Sequence, residues 1–374
     1  MKILFLCSSI ESGKDGVGDY TKHLCGALIK KGHQVAIVAL CDKHIEGLVK
    51  ETIILGDFSF IVTRISINSL QTQRFAWTQE TIRALNPDWV SLQFVPYGFN
   101  PKGLPFWLPF FLNRLKGKFL WHIMFHELWI GRKKNVAFKN KVISYLQQVI
   151  IKQLLKKMKP QVIHTHLPVY KDNLEKLTSN IIPLPLFSNI NPPINFSQNI
   201  SGNNFRFAFF SQVDITTEII HFINVFNVGL KELGFFPELI IIGGNENMMS
   251  GYIEEFKKKC PLLTTVTCTG FLDDNEISIE LKNCNIGITP IPRHALGKSG
   301  STAAFLAHGI PVAVPIIAKE YSEEGIGFFD KNWGGAIITN PNVNEIKNAQ
   351  KIAQSYKHMF TVEQIGTFFI NDLW

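Results

Sequence analysis

Short apolar segments alternate with amphipathic ones along most of the chain. In the first half, apolar runs predict buried strands over residues 2–8, 33–40, 89–95, 118–126 and 161–166. The stretches between them have helical periodicity. Leu24, Leu28 and Ile29 share one stripe of a helix predicted over residues 20–31, with Gly32 as its C-terminal cap. This βαβ alternation is typical of a parallel sheet that is covered on both faces.

The alternation stops at residues 181–204, which are rich in Pro, Asn and Ser, and then starts again. Strands are predicted over residues 205–211, 238–243, 265–269, 285–290 and 311–315. The pattern therefore predicts an α/β protein with two doubly wound domains in tandem, and 374 residues are enough for two cores. Because ligands bind beyond the carboxyl ends of such strands, a cleft between the domains is the predicted active site.

Composition narrows the class of protein. The six cysteines are scattered and form no Cys-x-x-Cys pair, which predicts reduced, buried thiols in an intracellular protein. Four prolines interrupt the apolar stretch 94–115, so no membrane-spanning helix is predicted. Residues 1–190 contain 25 basic and 12 acidic side chains, a net charge of +13, whereas the remainder carries −5. This asymmetry indicates an anionic partner for the first half.

A glycine-rich loop follows the first strand. Gly16 and Gly18 begin a G-x-G-x-x-G dinucleotide fingerprint, but Thr21 stands where its third glycine belongs. Asp42 stands where a ribose-binding acid would be, so an NAD-dependent oxidoreductase is one alternative. The loop also suits a tight strand-to-helix turn, or a helix N-terminus whose backbone N–H groups face a phosphate or a sugar.

The most informative segment covers residues 290–312. A predicted strand ends at Pro290, a loop with Arg293 and Lys298 follows, and a helix of small residues begins near Ser299. Free N–H groups, hydroxyls and a lysine at one helix N-terminus suit a diphosphate. A plain Ser-capped helix with an exposed lysine is the alternative.

Two other features invite a binding site. Residues 132–159 contain nine Lys or Arg and no acid, with apolar residues at helical spacing. They predict a surface helix, and the more specific hypothesis is that this helix docks on an anionic membrane. No nucleic acid is expected as a partner, because no ladder of aromatic residues lies among the cations. His164 and His166 are expected on one face of a strand, but no third ligand is visible, so no metal site is predicted.

Residues 303–315 resemble the donor-domain signature of GT-B glycosyltransferases of family four, in which a small-residue helix ends in Ala-x-Gly-x-Pro-Val-Val. Other segments follow the family's order. Residues 2–40 are similar to its opening βαβ unit, 241–244 and 266–273 to its nucleotide-side loops, and 92–99 and 125–127 to its acceptor-side strand ends. The resemblance covers nearly the whole chain and implies the GT-B fold, with two Rossmann-like domains facing each other across a cleft.

The chain also departs from the family pattern. Leu296 and Ala304 occupy the positions of two glutamates that frame this loop and helix in most members. The Arg and Lys that usually follow the first donor-domain strand are absent from residues 211–217. Lys298, with Arg293, is the nearest replacement for holding a diphosphate. The resemblance is therefore to a divergent branch of the family.

The resemblance implies an acceptor domain over residues 1–187, a linker over 188–204, a donor domain over 205–355 and a helical segment over 356–374 that packs back on the first domain. It implies retaining transfer of a sugar from a nucleotide diphosphate donor to a glycan, glycolipid or other hydroxyl acceptor. We expect no metal and no tightly bound cofactor, and a cytoplasmic protein that docks on the inner face of the membrane. A catalytically inactive glycan- or partner-binding protein and a sugar-nucleotide epimerase are the alternatives.

The resemblance also assigns roles to single residues. The expected catalytic residues are His126, Glu127 and Lys298, whose positive charge would stabilise the leaving diphosphate. The expected donor-binding residues are Gly16, Val17, Gly18, Gly244, Phe271, Arg293, Ser299, Gly300, Ser301 and Thr302. The expected acceptor-binding residues are Asp19, Gln93 and Tyr97.

Overall fold

A computed structural model describes residues 1–55, 58–130, 137–192, 202–317 and 333–374. These residues form two compact units. The first unit contains Met1–Leu184 and Ile365–Trp374, and the second contains Pro185–Gln364. Most of the predicted linker, residues 193–201, lies outside the described residues.

The strands follow the predicted order with several additions. Their bounds are β1 Lys2–Cys7, β2 Gln34–Asp42, β3 Leu48–Leu55, β4 Phe58–Ser66, β5 Trp89–Phe94, β6 Leu120–Phe125, β7 Val162–Thr165, β8 Ile181–Pro183, β9 Asn204–Phe210, β10 Phe236–Ile242, β11 Thr265–Cys268, β12 Ile286–Ile288, β13 Val312–Ala313 and β14 Ile337–Ile338.

The α-helices occupy the segments between the strands and the C-terminal part of the chain. Their bounds are α1 Gly16–Lys30, α2 Gln71–Leu85, α3 Pro96–Phe99, α4 Trp107–Arg114, α5 Phe138–Met158, α6 Pro168–Glu175, α7 Thr217–Glu232, α8 Glu246–Lys259, α9 Asp274–Lys282, α10 Gly300–Ala307, α11 Ile346–Tyr356 and α12 Val362–Leu373. A short 3-10 helix covers Arg293–Lys298.

The sheet of the first unit has the strand order β3-β4-β2-β1-β5-β6-β7-β8. It is parallel except at its edge, where β3 pairs with β4 in an antiparallel hairpin. The predicted parallel sheet is therefore present in this unit, with an antiparallel edge hairpin that was not predicted. The hairpin escaped prediction because its apolar side chains do not mark a buried face: Ile54 is 73% exposed and Ile61 is 60% exposed.

The two faces of this sheet are covered by different helices, because successive strand residues point to opposite sides. Leu4 and Leu6 on β1 lie in a core cluster with residues of α2, α4 and α5. Phe5 points the other way and stacks on Phe369 of α12, with ring centroids 5.9 Å apart. The helix α1 covers the same face, where the ring of Tyr20 meets His126 edge-on.

The sheet of the second unit has the order β11-β10-β9-β12-β13-β14, and every strand pair in it is parallel. Phe207 and Phe209 on β9 lie in a cluster with α7, whereas Ala208 between them lies in a cluster with α10. Helices thus cover both faces, and the predicted doubly wound α/β architecture is confirmed here.

Candidate functional site

The glycine-rich loop ends at a helix whose N-terminus is already capped by an acid. Oδ1 of Asp15 accepts hydrogen bonds from the N–H groups of Val17 (3.0 Å) and Gly18 (2.9 Å). These two N–H groups therefore donate to a carboxylate of the chain, and their predicted contact with a donor phosphate stays a prediction. Gly16, the first residue of α1, is exposed.

Packing explains Gly18 better than ligand binding does. A Cβ atom at this position would lie 2.7 Å from the carbonyl oxygen of Ser9 and 2.8 Å from Cα of Ile10. Asp19 holds the same loop in place, since its carboxylate accepts from the N–H of Gly13 at 3.0 Å and pairs with Lys22 at 2.7 Å. Its predicted contact with an acceptor remains a prediction.

Asp42, the ribose-binding acid of the dinucleotide alternative, is fully buried. Its carboxylate accepts from Nε of Arg64 at 2.8 Å and from the N–H of His44 at 2.9 Å. The guanidinium of Arg64 on β4 and the N–H of His44 after β2 therefore satisfy this carboxylate without a bound ribose.

His126 follows β6 at the carboxyl edge of the first sheet, and it is 6% exposed. Its Nε2 is hydrogen bonded to Oε1 of Gln93 at 2.9 Å, and its Nδ1 to Nε2 of His166 at 3.2 Å. Nδ1 of His166 donates to the carbonyl of Leu184 at 2.8 Å. Glu127, the next residue, is half-buried.

Gln93 lies buried beside His126. It is 1% exposed, and its amide nitrogen donates to Oγ of Ser91 at 2.7 Å while its oxygen faces His126. Both ends of the amide therefore orient neighbouring side chains, and the predicted acceptor contact of Gln93 stays a prediction. Tyr97, on α3 at the same edge, is 42% exposed and stays a candidate for acceptor binding.

The hydrogen bonds continue from Ser91 toward the C-terminal helix. Oγ of Ser91 is bonded to Nδ1 of His122 at 2.8 Å, Nε2 of His122 to Nδ1 of His164 at 3.0 Å, and Nε2 of His164 to Asp372 at 3.0 Å. Burial lowers the pKa of His122 well below its ordinary value. Burial also lowers the pKa of His164, although the bond to Asp372 raises it.

Sequence reasoning missed most of this buried network. Strand alternation places His164 and His166 on one face, as expected, and the same rule applied to Ser91 with Gln93 and to His122 with His126 would have indicated their common side. No local pattern could have indicated Asp372, which lies 208 residues from His164.

In the second unit, α10 begins as predicted and is capped by a hydroxyl. Oγ of Ser299 accepts from the N–H of Thr302 at 3.1 Å and from its hydroxyl at 2.8 Å. Thr302 is fully buried, and its predicted contact with the donor stays a prediction. Gly300 is exposed, Ser301 is half-buried, and Lys298 precedes the cap.

The guanidinium of Arg293 is hydrogen bonded to the backbone of neighbouring segments. Its Nε donates to the carbonyl of Val314 at 3.1 Å and a terminal nitrogen donates to the carbonyl of Thr339 at 2.8 Å. The guanidinium therefore ties the loop before α10 to the ends of β13 and β14, and its predicted diphosphate contact stays a prediction. Lys298 is the other cation of this loop.

The strands β10 and β11 end side by side at the carboxyl edge. Gly243 and Gly270 form a bridge there, and both Gly243 and Gly244 have a positive φ that favours glycine. Phe271 follows directly and is 82% exposed. An exposed aromatic ring beside a glycine turn suits the predicted contact with a nucleoside base.

The two positions that lack the family glutamates are internal. Leu296 and Ala304 are each 1% exposed and lie in the core cluster that contains Phe305. A carboxylate at either position would lose its hydration, so the local packing accommodates apolar side chains instead.

The basic segment forms α5 from Phe138 onward, and Arg132, Lys133 and Lys134 lie outside the described residues. Its outer side combines cations with apolar groups. Phe138 is 81% exposed and Tyr145 is 65% exposed, and Nζ of Lys157 lies 4.5 Å from the ring centroid of Phe110 on α4. Among the helices of the described ranges, none has the length and apolar content that crossing a bilayer requires.

Across the part of the chain that the structure describes, no group of three or more His, Cys, Asp or Glu residues is placed to hold a metal ion. The buried histidines of the first unit are hydrogen bonded to one another or to Asp372, Gln93, Ser91 and a backbone carbonyl.

No protein-family model matches the sequence, and no curated protein matches it. Solved structures do match over the full length. The trehalose-6-phosphate synthase of Burkholderia multivorans has a TM-score of 0.60 at 10% identity, covering 100% of this chain and 96% of that one. HepE of Anabaena, in complex with UDP, has a TM-score of 0.59 at 14% identity, covering 100% and 99%. The chain has the GT-B fold.

The same fold also occurs outside the transferases. A putative UDP-N-acetylglucosamine 2-epimerase from Listeria monocytogenes has a TM-score of 0.53 at 13% identity, covering 100% of this chain and 95% of that one. At such identities the likeness concerns the fold, and the chemistry has to be argued from the residues.

Proposed function

We propose that this protein is a glycosyltransferase that moves a sugar from a nucleoside diphosphate donor to an acceptor hydroxyl. The observation that carries the proposal is the start of α10, where Lys298 and a hydroxyl-capped helix N-terminus follow a strand at the carboxyl edge of the second sheet. A cation and the positive end of a helix dipole suit a diphosphate.

The donor extends from this helix toward Phe271. The strands β11 and β12 are separated by β10 and β9, a distance on the order of 15 Å at ordinary strand spacing. The base would stack on Phe271 and approach the turn at Gly244, while the diphosphate lies at Lys298, Gly300 and Ser301. Since HepE was solved with UDP and with UDP-glucose, a uridine nucleotide is the first donor to test.

In the reaction, the charge that grows on the leaving diphosphate would be stabilised by Lys298 and by the N-terminal dipole of α10. We assign His126 and Glu127 to the reacting sugar and acceptor, with Gln93 holding the imidazole in place. Transfer with retention of configuration is part of the proposal and rests on the resemblance to family four.

The acceptor side of the proposal concerns α5. Its exposed Phe138 and Tyr145 beside Lys139 and Lys141 suit the interface of an anionic bilayer, where each cation contributes about 1 kcal/mol. We propose a cytoplasmic protein that docks on the inner face of the membrane and glycosylates a glycolipid or a lipid-linked glycan in polysaccharide synthesis.

The test is nucleotide binding by thermal shift, with Lys298→Ala as the variant and Lys258→Ala as its control. Lys258 is exposed near the C-terminal end of α8, so its loss removes the same charge elsewhere in the unit. UDP at a hundred times its Kd should stabilise the wild type by about 2.7 kcal/mol. Loss of a charge-assisted contact of 1.5–3 kcal/mol should weaken binding by about 10- to 100-fold in Lys298→Ala alone. Equal binding by both variants would refute the diphosphate site.

Two other functions have a specific observation in their favour. The likeness to a putative epimerase favours acceptor-free conversion of a sugar nucleotide, which NMR of UDP-sugar mixtures without acceptor would detect. The burial of Leu296 and Ala304 at the missing glutamate positions favours a binding protein without turnover. Nucleotide binding without product over a broad acceptor panel would support the latter.

A further inference from the structure

A single chain of hydrogen bonds connects His126 to the C-terminal helix. It lies on one face of the first sheet, beneath α1 and α12, and ends at an acceptor on each side: the carbonyl of Leu184 and the carboxylate of Asp372. We call its six internal side chains the histidine chain: His166, His126, Gln93, Ser91, His122 and His164.

Counting protons shows that neutral side chains cannot complete this chain. Seven hydrogen bonds link the two terminal acceptors, and each needs one proton. A neutral imidazole has one N–H and a hydroxyl has one O–H, and the Gln93 amide bridges its two neighbours with one N–H and one oxygen. The histidine chain therefore offers six protons, one fewer than the seven bonds require.

The missing proton can sit at either end. When the Gln93 oxygen faces His126, neutral side chains supply the proton of every bond from Ser91 to Asp372. The His126–His166 pair then carries the additional proton. Rotating the amide by half a turn reverses each bond between His126 and His164, and the additional proton then lies on His164 beside Asp372.

We propose that the histidine chain holds one proton beyond its neutral imidazoles, shared between the His126–His166 pair and the His164–Asp372 pair. Asp372 is thereby a positioning residue that sets the protonation state of His126 from the far end of the chain. The use of this proton in sugar transfer rests on the proposed function, but its existence does not.

The surroundings favour the two ends over the middle. Burial lowers the pKa of His122 well below its ordinary value, so a cation at the centre of the chain is disfavoured. Burial lowers the pKa of His164 as well, but the hydrogen bond to Asp372, whose side chain is 26% exposed, offsets part of that effect. Among the described residues, His122 has no such carboxylate. At the other end, α1 contributes Tyr20 against both His126 and His166, β1 contributes the buried Cys7 on the same face, and Glu127 follows His126.

Asp372→Asn is the decisive variant because it adds one proton donor to the seven hydrogen bonds. An Asn amide can donate an N–H to Nε2 of His164, so all seven bonds close with neutral imidazoles. Ser91→Ala is the second variant: it cuts the chain into two parts, each of which also closes with neutral imidazoles. Glu363→Gln, on an exposed position of α12, controls for the loss of one negative charge from that helix.

The readout is the titration of the His126 ring protons by NMR on histidine-labelled full-length protein, with assignment from a His126→Gln spectrum. We expect the titration midpoint of His126 to fall by about one pH unit, a tenfold loss of proton affinity, in Asp372→Asn and in Ser91→Ala. Glu363→Gln should leave the midpoint unchanged, and adding Asp372→Asn to Ser91→Ala should cause no further fall.

An unchanged midpoint in Asp372→Asn or in Ser91→Ala would overturn the proposal. The proposal would also be overturned if Asp372→Asn lowered the titration midpoint of His126 by the same amount in the wild type and in Ser91→Ala, because Asp372 would then act through space. If Asp372→Asn fails to fold, Ser91→Ala still decides. The titration needs no substrate, so a protein without transferase activity would leave this result intact.

Discussion

Two helices, α1 in the first unit and α10 in the second, follow the carboxyl end of a strand after a loop, and different chemistry caps their first turns. At α1 the carboxylate of Asp15 accepts hydrogen bonds from the N–H groups of Val17 and Gly18. At α10 the neutral hydroxyl of Ser299 accepts a hydrogen bond from the N–H of Thr302. Both caps satisfy the backbone, but the acid also neutralises the positive end of the helix dipole. Under the proposed function, the anionic donor is therefore expected at α10 rather than at α1.

The largest expected effect concerns the packing that fixes α1. Gly18→Ala places a methyl group 2.7 Å from a backbone oxygen, and we expect a loss of about 3 kcal/mol in the free energy of unfolding, measured by urea denaturation. Gly16→Ala and Gly300→Ala add a methyl group to open space and should change it by less than about 0.5 kcal/mol. Equal stability of the three variants would contradict close packing as the reason for Gly18.

The second prediction gives α10 the cap of α1. Ser299→Asp keeps a good N-terminal cap but adds a negative charge where the donor diphosphate is proposed to bind. We expect UDP to bind about 30-fold more weakly than to the isosteric Ser299→Asn, corresponding to about 2 kcal/mol of repulsion at an effective dielectric constant near 20.

Isothermal titration calorimetry at two salt concentrations checks this difference, which should shrink as ionic strength rises. If Ser299→Asp and Ser299→Asn bound UDP equally, the diphosphate would have to lie elsewhere. The reverse exchange, Asp15→Ser, should leave UDP binding unchanged.

The third prediction concerns the other end of the proposed donor. Phe271→Ala should weaken UDP binding by about tenfold, since stacking of a base on an aromatic ring contributes about 1–3 kcal/mol. Phe236→Ala removes an exposed ring at the opposite end of β10 and serves as the control. Fluorescence competition with a labelled nucleotide measures both, and an equal loss in the two variants would argue against stacking on Phe271.

The smallest effect is a pH dependence at α1. Burial raises the pKa of Asp15, even though the N–H groups of Gly18 and Val17 lower it. The folded state therefore binds this proton more tightly than the unfolded state, so stability falls as the pH rises above the unfolded value near 4. Asp15→Asn should be more stable than wild type by about 0.5 kcal/mol at pH 7, after solvent screening, and equal to it near pH 3.

Thermal melts of both proteins across that pH range give the comparison. A stability difference that grows toward acid pH would have the wrong sign and would contradict a raised pKa.

Continuous apolar runs made most strands predictable. The strands β1, β5, β6 and β7 are buried along nearly their whole length, so most of their residues are apolar and turn residues set their limits. The edge hairpin of β3 and β4 lacks that signature because a strand at the edge of a sheet exposes apolar and polar side chains alike. The fold class could thus be predicted, while the edge could not.

The candidate site was harder to predict because a residue type does not reveal its partner. Arg293 was expected at a diphosphate, but it donates to two backbone carbonyls, and a cation in a polar loop has the same sequence signature in both cases. The capping role of Asp15 was not predicted, because an aspartate that caps a helix and an aspartate that acts as a catalytic acid look the same in a sequence. Ser299 was predicted correctly as the start of a helix because the cap, the small residues and the following Gly-x-Pro agree.

The return of α12 to the first unit has a consequence for synthesis of the protein. Phe5 leaves the ribosome long before Phe369, on which it stacks. The second unit is continuous in the chain and can complete its core earlier. The part of the first sheet's face that α12 covers, with His122 and His164, therefore stays exposed until residues 365–374 have emerged. During translation this face is the surface that a chaperone would have to shield.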